Sequence, residues 1–210
     1  EEEVAEEPEV IEEGNFVLNE DGTKRVFYRI MEADIDAPLD SNIGRMFTEH
    51  EYYAQGYGRE ILQDPEDPID LKTLEVTMEL EEGKTVLDLS AVQTRYSDLT
   101  FDSVEKMFND LIQTEQDVQK NLDIREAKTE FIRFFMELNE HAPSLNTAPL
   151  FTILHRTSQK KSVEVREGED GISLMFEPYQ KLIAKLREVN FGAVRMLDDE
   201  MMGGEDPITF

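Results

Sequence analysis

FDSVEKMFNDLIQTEQDVQKNLDIREAKTEFIRFFMELNEH, residues 101–141, carries the longest helical signal in the chain. Val104, Phe108, Leu111, Val118 and Leu122 recur at spacings that line up on one side of a helix. Ile124, Ala127, Phe131, Phe134 and Leu138 form a second stripe, out of phase with the first. Such a shift means either two helices that meet near Asn121 or one long helix that changes its buried face there. Asp102 or Ser103 can cap the start, and Asp123–Glu126 (DIRE) fits a capping box at the shift. Pro143 closes the region. The pattern predicts the largest apolar cluster here, with Phe131, Phe134, Phe135 and Leu138 inside it.

On either side the period changes from helical to twofold. NFVLNEDGTKRVFYRIM, residues 15–31, places two apolar runs around Asp21-Gly22, a hairpin signal, with Phe16 and Leu18 alternating on one strand and Val26, Tyr28 and Ile30 on the other. LEVTMELEEGKTVLDLS, residues 74–90, repeats the idea: Leu74, Val76, Met78 and Leu80 alternate with polar residues, as in a sheet with one wet face. KSVEVREGEDGISLMF, residues 161–176, reads as a third hairpin. PYQKLIAKLREV follows as a helix with Pro178 at its start and Tyr179, Leu182, Ile183, Leu186 and Val189 on its apolar face. Between the first two hairpins, Ile43, Phe47, Ala54, Tyr57 and Ile61 keep approximate helical spacing. Gly44, Gly56 and Gly58 weaken it, so the helix is expected to end near Ala54. DPEDPID, residues 64–70, is a turn or linker. Hairpins separated by helical runs, without a βαβ rhythm, predict an α+β fold with antiparallel sheet and long amphipathic helices in the centre and near the C-terminus. The expected organisation is an acidic flexible arm (1–13), a hairpin-rich part (14–100), a helical region (101–142), a hairpin plus helix that includes the apolar PLFTILH (149–197), and a loose acidic tail (198–210). Residues 14–197 are expected to form one compact unit.

Charge narrows the function. The chain of 210 residues holds 48 acids and 21 bases, a net charge of -27. Eight glutamates and no base fall in the first thirteen positions, a segment with too little apolar content to offset its ordering entropy. The arm accounts for only a small part of the excess, so the acidity belongs to the whole surface. Such a field disfavours nucleic acid and anionic membrane and favours cations or basic protein surfaces. Ahead of an edge of sheet, the glutamates also discourage strand-on-strand aggregation. No cysteine is present, which removes disulfides and thiol chemistry. No apolar run approaches the roughly 20 residues of a membrane span.

The sequence carries no recognisable catalytic, cofactor or metal motif. His50, His141 and His155 are the only histidines, none four residues from another. Glu49, His50 and Glu51 lack the spacing of a zinc helix. GYGRE (56–60) lacks the third glycine of a phosphate loop. Asp34, Asp36, Asp40 and Asn42 suggest calcium, but counting from Asp34 puts Leu39 and Arg45 where an EF-hand loop needs glycine and glutamate. One cluster of bases, Arg156, Lys160, Lys161 and Arg166, with Lys181, Lys185 and Arg187 nearby if the hairpin packs on the last helix, is expected to pair with acids of this chain or of a neighbouring copy.

The arm offers a resemblance. VAEE (4–7) and VIEE (10–13) look like the A-x-E and I-x-E sites after which a prohead protease trims acidic propeptides, so the arm resembles that of processed structural or internal head proteins of large tailed bacteriophages. A start other than methionine fits either an artificial truncation or such cleavage. The resemblance implies a virion or host-cytoplasm location. The expectation is a non-enzymatic structural or assembly protein that contacts other proteins with basic surfaces, or copies of itself, without cofactor, nucleic acid or membrane. The alternative is an acidic DNA mimic that inhibits a nucleic-acid-binding protein. It is the weaker reading, because the helical acids are interleaved with Lys106, Lys120, Arg125, Lys128 and Arg133.

Overall fold

The computed structural model describes residues 15–32, 47–57, 70–93, 101–141, 150–158, 171–197 and 207–209. The acidic arm, the aspartates of 34–44, the prolines of 64–69 and the bases Lys160, Lys161 and Arg166 lie outside the described residues. The fold is α+β. In chain order its elements are β1 (Val26–Glu32), β2 (Phe47–Thr48), α1 (Glu51–Tyr57), β3 (Leu71–Thr77), β4 (Thr85–Asp88), α2 (Ser90–Gln93), α3 (Phe101–Thr114), α4 (Val118–His141), α5 (Leu150–Ser158), α6 (Gly171–Glu188), β5 (Phe191–Leu197) and β6 (Pro207–Thr209).

The strands form one sheet in the order β3-β1-β2-β6-β5-β4. All neighbours run antiparallel except β4 and β5, which are parallel and joined by the helical region, a crossover that the sequence pattern did not suggest. The first expected hairpin turns where Asp21-Gly22 placed it: Gly22 has φ +83°, and Asn19 N donates to Thr23 O. Its first strand is short, reduced to the bridges Phe16–Glu79 and Leu18–Lys24. The second expected hairpin does not exist as a pair: β3 and β4 occupy opposite edges of the sheet. Six strands at the usual spacing span about 24 Å, and Met78–Lys84 alone links the two edges. That link also turns, with Lys84 N donating to Glu81 O, and holds back to the first strand, with Val17 N donating to Met78 O. The sheet is therefore rolled. Gly192 of β5 approaches the link so closely that a Cβ there would lie 3.0 Å from Leu80 Cδ2 and 3.2 Å from Lys84 Cβ.

Register assigns the two faces. Phe27 lies opposite Val76 and Arg29 opposite Leu74, so these four share a face, while Val26, Tyr28 and Ile30 share the other with Thr77, Glu75 and Thr73. Phe27, outside the expected apolar set, is the fully buried residue of β1, and Val26, Tyr28 and Ile30 are half-buried. The wet alternation of β3 is present: Thr73, Glu75, Thr77 and Glu79 are exposed, between half-buried Leu74, Val76 and Met78. The helices cover the sheet over β4 and β5, where Leu87, Val194 and Met196 join the main core with Val104, Met107, Phe108, Ile124, Phe131, Phe134, Phe135, Leu138, Tyr179, Leu182 and Leu186. Phe108 and Phe131 pack tilted with centroids 5.2 Å apart.

Four further expectations are corrected. The helix expected up to Ala54 begins only at Glu51, after strand β2. Thr48 Oγ1 accepts from His50 N, and the first bond into the helix is Ala54 N to His50 O, so the threonine turns the chain from strand to helix. Helix α6 begins at Gly171, which places residues 171–176 in helix, not in a hairpin, and Pro178 inside the helix, not at its start. The run from Ile172 to Phe176 suits either period, and helix α6 as a whole packs on α4 and α5. PLFTILH lies largely in α5. The tail is not loose throughout, because Pro207–Thr209 is a strand held between β2 and β5.

Candidate interaction surface

Helices α3 and α4 meet at Glu115–Asp117, earlier than Asn121 and DIRE suggested, so Asp123 lies inside α4 and Asp102 and Ser103 lie inside the first turn of α3. Asp117 caps α4: its Oδ1 accepts from Lys120 N at 2.7 Å. Asn121 Nδ2 donates to Ile112 O at 2.6 Å and Glu115 O at 3.3 Å, satisfying carbonyls that the end of α3 leaves free. Glu115 Oε1 accepts from Asp117 N at 3.0 Å, and its other oxygen pairs with Lys120 at 3.2 Å. The bond from Asp117 N, aided by Lys120, holds the Glu115 carboxyl below the usual glutamate range. This corner turns the first stripe over. Val104 and Phe108 are buried, but Val118 and Leu122, expected on the same face, are 76% and 50% exposed. The second stripe is buried throughout.

Several bases of the helices are engaged by acids of the same chain. Lys128 pairs with Glu105 at 2.9 Å, Arg133 with Glu130 at 2.8 Å, and Lys185 with Glu188 at 2.5 Å. Arg187 pairs with Glu81. Lys181 lies 2.9 Å from Glu137 and 3.1 Å from Glu177, and those two carboxylates, Glu137 first, raise its pKa above that of an ordinary lysine. The expected pairing of the basic cluster with acids of this chain is thus present for Lys181, Lys185 and Arg187. The side chains of Arg156, His141 and His155 are not described.

A second charged group lies at the sheet. Glu49 Oε1 sits 3.2 Å from Arg25 Nη1 and 3.4 Å from Arg195 Nε. Arg195 Nη1 reaches Asp88 Oδ2 at 3.2 Å, and Asp88 Oδ1 accepts from Ser90 N and Oγ at 2.9 and 2.5 Å. Two acids balance two bases, so the group ties β2, β4, β5 and the first hairpin together and leaves no net charge for a ligand. Glu49 is thereby committed to guanidinium groups and Glu51 accepts from Gln55, so these two do not combine with exposed His50 into a metal set. Among the described residues no group of three or more His, Cys, Asp or Glu could hold a metal ion, and no helix is long and apolar enough to cross a membrane. Compared with protein-family models, with curated proteins and with solved structures, the chain matches none.

Proposed function

We propose that the chain is a non-catalytic structural or assembly protein that acts through protein–protein contacts, with basic protein surfaces or further copies of itself as partners. One observation carries this reading: many of the scarce bases are consumed by acids of the same chain, which leaves the surplus carboxylates as the outward field. Apolar side chains stand within that field, Tyr52 and Val118 among them. A phage virion is the setting that the resemblance of the arm implies.

An acidic field accelerates encounter with a basic surface and is screened over about 8 Å at physiological salt. Association with a basic protein recovered by the tagged chain is therefore expected to slow as salt rises, more than dissociation quickens, in stopped-flow or biosensor kinetics. Equal association rates in low and high salt would defeat the proposal. Release of the partner by duplex DNA competing at the partner's nucleic-acid groove would replace it with the DNA-mimic reading.

A further inference from the structure

Helix α4 carries apolar residues on two opposite sides. One side holds Ile124, Ala127, Phe131, Phe134 and Leu138 in the core. On the reverse side Val118, Leu122, Arg125, Thr129, Ile132 and Met136 follow one another at alternating steps of four and three. That is the spacing of a coiled-coil seam. The seam faces outward: Val118, Leu122 and Met136 are 76%, 50% and 59% exposed, Arg125 and Thr129 are exposed, and Ile132 is half-buried. Its order also reads the same from both ends, as two apolar, two polar and two apolar residues.

We propose that this face is a homotypic interface, in which α4 of a second copy lies antiparallel about a two-fold axis centred at position 127. Val118 then meets the partner's Met136, Leu122 meets the partner's Ile132, and Arg125 meets the partner's Thr129. Arg125 and Glu126, both exposed and of opposite sign, stand within two residues of the axis, so each copy brings both signs to the centre of the contact. A closed two-fold contact needs this self-complementarity. The inference rests on the reading that the chain acts by contact, and it names the face, the partner and the geometry.

The eighteen helical rises from Val118 to Met136 are about 27 Å long and the helix about 10 Å wide, so each copy contributes roughly 270 Å². A stable interface buries about 800 Å² per partner. The α4 pair is therefore a weak, reversible contact that works where copies are crowded, and the like charge of the two chains opposes it. Salt consequently acts in the sense opposite to its effect on a basic partner: screening strengthens self-association.

The cysteine-free chain permits a direct test. Val118→Cys and Met136→Cys variants are mixed at high concentration and high salt under mild oxidation, and each is also oxidised alone. The mixture is expected to give a disulfide-linked dimer containing one chain of each kind. Each variant alone should give little, because like positions lie about 27 Å apart in the antiparallel pair and a disulfide needs Cα atoms within about 7 Å. Adding Leu122→Asp to both variants should abolish the cross-link without moving the thermal midpoint. Absence of the mixed dimer, or equal cross-linking of Val118→Cys alone, overturns the proposal. So does self-association that weakens with salt in sedimentation equilibrium. A chain that forms the mixed dimer but binds no basic protein retains this inference and loses the basic-partner reading; the converse result does the reverse.

Discussion

Gln93 is 1% exposed and its amide replaces a strand. Nε2 donates to Leu197 O and Oε1 accepts from Leu197 N, both at 2.8 Å. Strand β4 stops at Asp88, so the end of β5 has no strand on that side, and one side chain supplies the missing donor and acceptor. Gln93→Leu keeps the approximate volume and removes both bonds. Each backbone group then left buried and unpaired costs about 1–3 kcal/mol, so urea unfolding should show a loss in that range or above. A loss below about 0.5 kcal/mol would mean that water reaches Leu197. Nothing in the local sequence marks this residue, because SAVQ reads as an ordinary polar-ended turn of helix, and its partner is 104 positions away. Phe131, Phe134 and Leu138, by contrast, were legible, since a period of 3.6 within one helix needs no knowledge of the distant chain.

At the scale of elements, the corner between α3 and α4 sets which side of α4 is inside. Replacing the cap, Asp117→Ala, removes the acceptor of Lys120 N and should cost about 1 kcal/mol in thermal or urea unfolding. An unchanged midpoint would place the start of α4 elsewhere. Glu115 gives the same corner a pH dependence. Its folded pKa is lowered by the bond from Asp117 N and by Lys120, so its contribution is present above the ordinary glutamate range and fades as pH falls through the lowered value. Glu115→Gln should therefore flatten the acid limb of the stability curve below the ordinary glutamate range and leave the curve near neutrality with the same slope. An acid limb as steep as that of the unaltered protein would show that this carboxyl titrates alike in the folded and unfolded chain. The helical stripes showed a change of phase but misplaced it, because DIRE imitates a cap while Asp117 is the acid whose carboxylate meets a free N–H. Val118 and Leu122 could be assigned to the wrong face because periodicity ranks residues by spacing and contains no information on which side a corner turns.

For the molecule as a whole, local alternation predicted the existence of strands better than their neighbours. β3 and β4 look like a hairpin, since Glu81–Lys84 does turn, but the rolled sheet sends them to opposite edges, and pairing across the sheet has no local signature. The same blindness hid β6, whose three residues follow an acidic, glycine-containing run and yet sit in the middle of the sheet. Thr209 lies opposite both Phe47 and Arg195, and Ile208 opposite both Thr48 and Met196. Without β6, β2 keeps only the pairing of Thr48 with Tyr28, and the sheet divides into β3-β1-β2 and β5-β4. Removal of residues 207–210 is thus expected to destabilise the protein by about 1 kcal/mol for each ladder bond lost, and to do so unevenly. Amide exchange should rise first at Phe47, Thr48 and the edge of β5 facing β6, while Phe108, Phe131 and Leu138 in the helical core keep their protection. A truncated chain with the stability and exchange pattern of the full one would remove β6 from the sheet. Equal loss of protection in β2 and in the helical core would instead show that the rolled sheet and the helix layer unfold as one cooperative unit.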